Sequence, residues 1–157
     1  MNARQPRDFI LAIDPGKLTG LSFVYRFDLT SYQTWELEFL PCGAMIKDIC
    51  EAYGSRLDVA CERFDIGLRT VKNTPAKWSL EMIGVARYFC QAYTGHDIDL
   101  YEQKPPFSTD ERIKAMGWYR PTKDGHSNDA ARQLLKHLVE CGFRDNRLWP
   151  EKSTSLG

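Results

Sequence analysis

Phe9-Ile10-Leu11-Ala12-Ile13-Asp14-Pro15-Gly16-Lys17-Leu18-Thr19-Gly20 decides how this chain folds. Its leading apolar residues run unbroken into a turn rich in Pro and Gly, which predicts a central strand covered on both faces. Asp14 then stands at the C-terminal end of that strand, where open α/β sheets place ligands and chemistry. Taken alone, Asp-Pro-Gly reads equally well as an ordinary turn. The choice depends on whether other acids reach the same place.

Outward from this stretch, Leu21–Phe27 alternates, with Leu21, Phe23, Tyr25 and Phe27 on one face. Tyr32–Phe39 alternates again, setting Gln33, Trp35, Leu37 and Phe39 against Thr34, Glu36 and Glu38. These patterns predict an antiparallel meander of three strands, closed by Pro41 and Gly43. Met45, Ile46, Ile49, Cys50 and Tyr53 recur at helical spacing, and Gly54 stops that helix. Leu57–Glu62 is a fourth strand, entered through a helix and therefore parallel to the first.

A long loop, Arg63–Asn73, precedes a helix start at Thr74 and Pro75. The stripe Trp78, Met82, Val85 and Phe89 is core first and a dimer contact second. Ile98–Tyr101 is a short fifth strand. Ser108-Thr109-Asp110-Glu111 is a capping box opening a helix that Gly117 ends. Trp118–Gly125 is a loop, and the last helix runs from Ser127 to Gly142 with Leu134, Leu135, Leu138 and Val139 buried. The polar tail from Arg144 is expected to fray. The expected organisation is one domain over 1–143 with a C-terminal tail, 144–157. Its class is mixed α/β: a five-stranded sheet, antiparallel on one side and parallel on the other, flanked by helices.

The 157 residues are 43% hydrophobic and 27% charged, the balance of a globular domain. The sequence offers neither a bilayer-spanning apolar run nor the apolar stretch of a signal peptide, so an intracellular, cytoplasmic protein with no membrane partner is expected. Its five cysteines form no C-x-x-C pair, which argues against zinc and for small core residues. Net charge is zero, so the global balance does not announce nucleic acid. Local charge does: Arg63, Arg69, Lys72 and Lys77 stand against one acid, and the Lys104–Lys123 segment has five bases against two acids. Both are either solvated faces or tracks for DNA phosphates, with Trp118 and Tyr119 available for stacking.

Asp14 and Glu62 end strands expected to be neighbours, and Asp129 lies in the first turn of the last helix, three residues after His126. Asp129 is also an ordinary helix-start carboxylate, Glu62 an ordinary edge residue, and His126 a common surface histidine. Asp124 is an alternative to His126; His96 and His137 read as loop and helix-surface residues without a role. Carboxylates gathered at roughly 5 Å repel by about 3 kcal/mol per pair at an effective dielectric near 20. Either they stay protonated or a divalent cation sits among them, and an oxygen-rich set suits Mg²⁺ or Mn²⁺ over Zn²⁺.

Asp14-Pro15-Gly16 with Thr19-Gly20, Glu62 after the fourth strand and His126-x-x-Asp129 opening the last helix resemble the RuvC-type Holliday junction resolvases. Gln103-Lys104 resembles that family's basic pair after the fifth strand, and Ile83-Gly84-Val85-Ala86-Arg87 its dimer helix. The resemblance spans roughly residues 8–141 and implies a ribonuclease-H-like fold. It also implies a homodimeric, Mg²⁺-dependent endonuclease, with Mn²⁺ as substitute, that nicks four-way DNA junctions in pairs. Asp14, Glu62, His126 and Asp129 would hold the metals, and Lys104 would meet the scissile phosphate. Arg63, Arg69, Lys72, Lys77 and Lys123 would follow the DNA. Phe64 would be the wedge, though it lies nearer the acid than the family's spacing, and the neutral pI of about 6.8 differs from the basic bacterial members. The alternatives are a flap or branched-DNA endonuclease of the same fold, a non-catalytic junction-binding protein, and an actin- or sugar-kinase-like phosphotransferase. That last class needs a second domain around its nucleotide.

Overall fold

The computed structural model describes residues 5–64, 74–102 and 109–148. Strands β1 (Phe9–Asp14), β2 (Leu18–Tyr25), β3 (Asp28–Glu38), β4 (Leu57–Glu62) and β5 (Asp99–Tyr101) form one sheet in the order β3-β2-β1-β4-β5. β1 and β3 each pair antiparallel with β2, whereas β1–β4 and β4–β5 are parallel. Helices α1 (Phe39–Tyr53), α2 (Thr74–Thr94), α3 (Asp110–Ala115) and α4 (His126–Glu140) flank it.

β1 is apolar from Phe9 to Ile13, as a strand covered on both faces is. Leu11 and Ile13 join Val59, Cys61, Ile46, Met82 and Ala86 in the core beneath α1 and α2. Ile10 and Ala12 join Ala60, Leu134, Leu135 and Leu138 in the core beneath α4. The sheet therefore lies between two helical layers.

Several element boundaries differ from expectation. β2 begins at Leu18 and β3 at Asp28, so Arg26 and Phe27 are the two-residue link of a hairpin in which Tyr25 pairs with Asp28. Phe27 is accordingly exposed in the turn, its ring beneath the Arg26 guanidinium, instead of lying on the buried face. α1 starts at Phe39, well before Met45, and takes in both Pro41 and Gly43. Pro41 stands third in the helix, where its missing N–H had no intrahelical partner to lose.

At α3 the cap is Thr109, whose hydroxyl accepts from the Arg112 N–H, so the expected box with Ser108 as cap and Glu111 in the third position is displaced by one residue. Nor do the described tail residues, 144–148, fray. Leu148 is buried against the α4 core, and its N–H donates to the Asp145 carbonyl at 2.9 Å. Among the described residues no helix is long and apolar enough to cross a membrane.

Candidate metal centre

Register brings a row of chemistry-bearing residues to one end of the sheet. Asp14 pairs with Gly20, and Gly20 pairs with Glu36 across β2–β3. On the other side Ile13 pairs with Cys61, which places Glu62 one step further along β4, level with Asp14. Asp14 continues the Ile10, Ala12 face and Glu62 the Ala60 face, so both follow the face that α4 covers. The turn after β1 is pinned from two directions. Thr19 Oγ1 donates to the Gly16 carbonyl at 2.9 Å, and Ser79 Oγ of α2 donates to that of Pro15 at 2.9 Å.

α4 begins on this row. Its preceding residue, Gly125, adopts φ +76° and offers no side-chain cap. The missing cap comes from β3: Glu36 Oε1 accepts from the Ser127 N–H at 2.9 Å and from Thr122 Oγ1 at 2.7 Å. A carboxylate at a helix N-terminus meets unpaired N–H groups and the positive end of the dipole. Burial opposes ionisation of Glu36, but these donors prevail and hold its carboxyl below the usual range. Asn128 ties down the preceding loop, accepting from the Arg120 N–H at 2.8 Å and donating to its carbonyl at 2.6 Å.

So held, the first turn of α4 delivers His126 and Asp129 to Asp14. The His126 Nδ1 to Asp14 Oδ2 distance is 2.7 Å, and Asp14 is only 7% exposed. The hydrogen bond to Asp14 raises the His126 pKa against the opposing effect of burial. Asp129 Oδ1 accepts from Arg132 Nη2 at 2.5 Å, and Arg132 also pairs with Asp110 of α3. Each of Asp14, His126 and Asp129 offers a ligand atom, all within 4.8 Å of one another. Two carboxylates and an imidazole form a donor set for a hard or borderline divalent cation. Cys61 lies on the other face, in the core beneath α1 and α2, where burial, then the charges of Asp14 and Glu62, push its thiol far up.

No protein-family model matches the chain, and no curated protein does. Among solved structures, the RuvC of Thermus thermophilus in complex with a Holliday junction substrate covers 85% of this chain and 96% of its own, with a TM-score of 0.57 at 15% identity. The fold is that of RuvC. A second Thermus thermophilus RuvC structure covers the same shares, with a TM-score of 0.50 at 15% identity. The RuvC fold is ribonuclease-H-like, as the ordered motifs implied.

Within this RuvC fold the sequence-derived residues fall into three groups. Asp14, His126 and Asp129 come together, whereas Glu62 ends the adjacent strand outside that three-residue group. Asp124 is exposed and also outside it. Arg63 and Phe64 directly follow Glu62, and the Arg63 N–H donates to the Tyr101 carbonyl at 2.6 Å. Lys77 is exposed near the start of α2, 3.7 Å from Glu81, and Lys123 is exposed in the loop before α4. Lys104, Arg69 and Lys72, with Gln103 and Ser108, lie outside the described residues.

Two expectations need correction. Trp118 is 2% exposed, stacked on Tyr32 with ring centroids 5.1 Å apart, so it is a core residue and no platform for a base. His137 is 1% exposed, not on the helix surface, because it pairs with the buried Asp58. Sequence reasoning also missed Glu36, which caps α4, and Arg132, which pairs with Asp129, and it read Gly20 only as part of the Thr19-Gly20 motif, without its contact against α4. Lys17 borders an apolar cavity of about 660 Å³ lined by Phe39, Leu40, Pro41 and Trp78. A second cavity of about 500 Å³, between α1 and the β2–β3 face, contains none of the clustered acids.

Proposed function

We propose that this chain is a divalent-metal-dependent endonuclease that resolves four-way DNA junctions by paired phosphodiester hydrolysis, working as a homodimer. The observation that carries the proposal is the meeting of Asp14, His126 and Asp129 at the open end of a RuvC-fold sheet. Asp14, His126 and Asp129 would hold a Mg²⁺ ion, or Mn²⁺ in its place, with Glu62 facing them from β4. The chemistry such an ion supplies when bound is activation of water and neutralisation of charge on the phosphodiester oxygens.

The chain's own groups do the rest. Glu36 and Gly20 fix the start of α4, so the donors are pre-arranged and do not have to be gathered by the ion. As a ligand His126 would be the neutral imidazole, offering one ring nitrogen and keeping its proton on the other. Arg63, Lys77 and Lys123, with Arg69, Lys72 and Lys104, would carry the DNA backbone towards the site, where phosphate contacts supply most of the affinity. Phe64, immediately past the acid, would part the strands.

The Thermus thermophilus RuvC of matching fold is bound to a Holliday junction substrate, which supports branched DNA as the ligand here. Tyr88, exposed on α2, and Leu40, exposed on α1, would be open to contact with a second copy of the chain.

The test is to incubate the purified protein with end-labelled four-way junction, flap and linear duplex, with and without Mg²⁺. The proposal expects paired symmetric nicks in the junction, dependent on the ion. Cutting of flaps in preference would move the substrate to branched DNA at large; ATP turnover without any nicking would overturn the nuclease reading.

A further inference from the structure

Besides the Glu36 cap and the Gly20 contact at its first turn, α4 is tied to the sheet by two histidine–aspartate pairs. At its start His126 meets Asp14 on β1; eleven residues on, about three turns and 16 Å further, His137 meets Asp58 on β4. Asp58 and Glu62 share that strand and face, four residues or about 13 Å apart. One helix and one strand thus run side by side, α4 with one end in the candidate metal centre and β4 with one end beside it, and both with the other end in a buried polar cluster.

That cluster is closed. Asp58 is 0% and His137 1% exposed, with Nε2 of the imidazole 3.2 Å from Asp58 Oδ2. Its Nδ1 lies 2.8 Å from Tyr101 Oη and 3.9 Å from Asp99 Oδ2, both on β5. Cys141, just past α4, brings its sulfur to 3.8 Å from Nε2. From the N-terminal segment, the Arg7 N–H donates to Asp58 Oδ2 at 2.8 Å, and its Nε lies 3.6 Å from Oδ1. Lys136 and Glu140 of α4 act on the cluster through Tyr101, Lys136 Nζ lying 5.2 Å from the centre of the ring.

Asp58, Asp99 and His137 satisfy the spacing of a metal group, but Asp58 and His137 are shut from solvent, unlike the half-open His126 and Asp129, and are held by Arg7 and Tyr101. A buried ion pair of this sort adds little stability over well-packed apolar residues; what it adds is direction. Leu134, Leu135 and Leu138 hold α4 against the sheet by non-directional apolar packing, whereas a hydrogen-bonded imidazole has a fixed partner and a fixed length.

We propose that Asp58 and His137 are positioning residues for the metal centre: their contact sets the axial register of α4 against β4 and thereby the placing of His126 and Asp129 relative to Asp14 and Glu62. This rests on the metal-centre reading above. The charge state agrees with it. Burial works against the imidazolium, but hydrogen bonds to Asp58 and Cys141 outweigh it and lift His137 to about 9.

Calorimetric titration with Mn²⁺ tests the inference on the full chain, comparing wild type, His137→Gln and Tyr101→Phe, each confirmed folded by circular dichroism. His137→Gln should bind Mn²⁺ at least about tenfold more weakly, and Tyr101→Phe should weaken it in the same direction by less. In junction cleavage the half-saturating Mn²⁺ concentration should rise while the rate at saturating ion recovers, a split that mere loss of folded protein does not produce. Folded variants with wild-type Mn²⁺ affinity overturn the positioning role and leave the metal centre standing. Wild type that binds no Mn²⁺ overturns both. Should His137→Gln fail to fold, Tyr101→Phe decides alone, because it removes one hydroxyl and keeps the ring.

Discussion

Gly20 lies directly against the backbone carbonyl of His126, so close that a Cβ at Gly20 would overlap the oxygen. The obstacle is backbone, which no rotamer change relieves. Gly20→Ala should therefore push the first turn of α4 off the sheet, costing about 1–3 kcal/mol as an overpacking change and moving His126 and Asp129 from Asp14. Urea unfolding and Mn²⁺ titration of the variant measure the two effects. Unchanged values for both would mean that α4 is not seated as described.

Asp14→Asn, Glu62→Gln and Asp129→Asn each remove a negative charge with little change of shape. Each should lower junction cleavage by at least about a thousandfold, roughly 4 kcal/mol on the barrier, while gel-shift binding of the junction stays close to wild type. A variant that still cuts normally removes its residue from the site.

Glu36 caps α4 from a different strand. Glu36→Ala should cost roughly 1–2 kcal/mol of unfolding free energy, in the range of a lost N-cap, whereas Glu36→Gln keeps an acceptor and should lose less. Equal stabilities for the two variants would show that the Ser127 and Thr122 contacts are incidental.

His137 gives stability a pH dependence of defined sign. Its pKa stands at about 9 in the fold against an ordinary 6.5, so between these values the native chain holds a proton that the unfolded chain has released. The contribution is complete below about 6.5 and disappears as pH rises through 9, amounting to a few kcal/mol. Thermal unfolding of wild type and His137→Gln from pH 6 to 10 should show the wild-type advantage shrinking over that window. Parallel curves would contradict it.

The sheet was readable because its signals are local. An unbroken apolar run marks β1, alternation marks β2 and β3, and a helix before β4 implies a parallel crossover. The misses come from residues whose partners lie far along the chain. Pro41 reads as a break until it is placed in a first helical turn, and Trp118 reads as a surface aromatic until Tyr32 is seen against it. Glu36 looks like the polar side of an edge strand because nothing nearby announces that α4 starts beside it.

Asp58 left a clue that went unused: an acid inside the apolar strand Leu57–Cys61 needs a buried cation, and His137, between Leu134, Leu135 and Leu138, was on a face able to supply one. Of the centre itself, Asp14, His126 and Asp129 were legible from strand-end and helix-start placement. What position in the sequence does not convey is that Glu62, on the neighbouring strand as expected, falls outside the three that cluster.

The most direct test is anomalous diffraction from crystals of the protein grown or soaked with Mn²⁺. A peak touching Asp14, His126 and Asp129 together, absent from Asp14→Asn crystals, is the predicted result. An ordered protein with no peak there, or with Mn²⁺ bound only elsewhere, would contradict the shared-cation account.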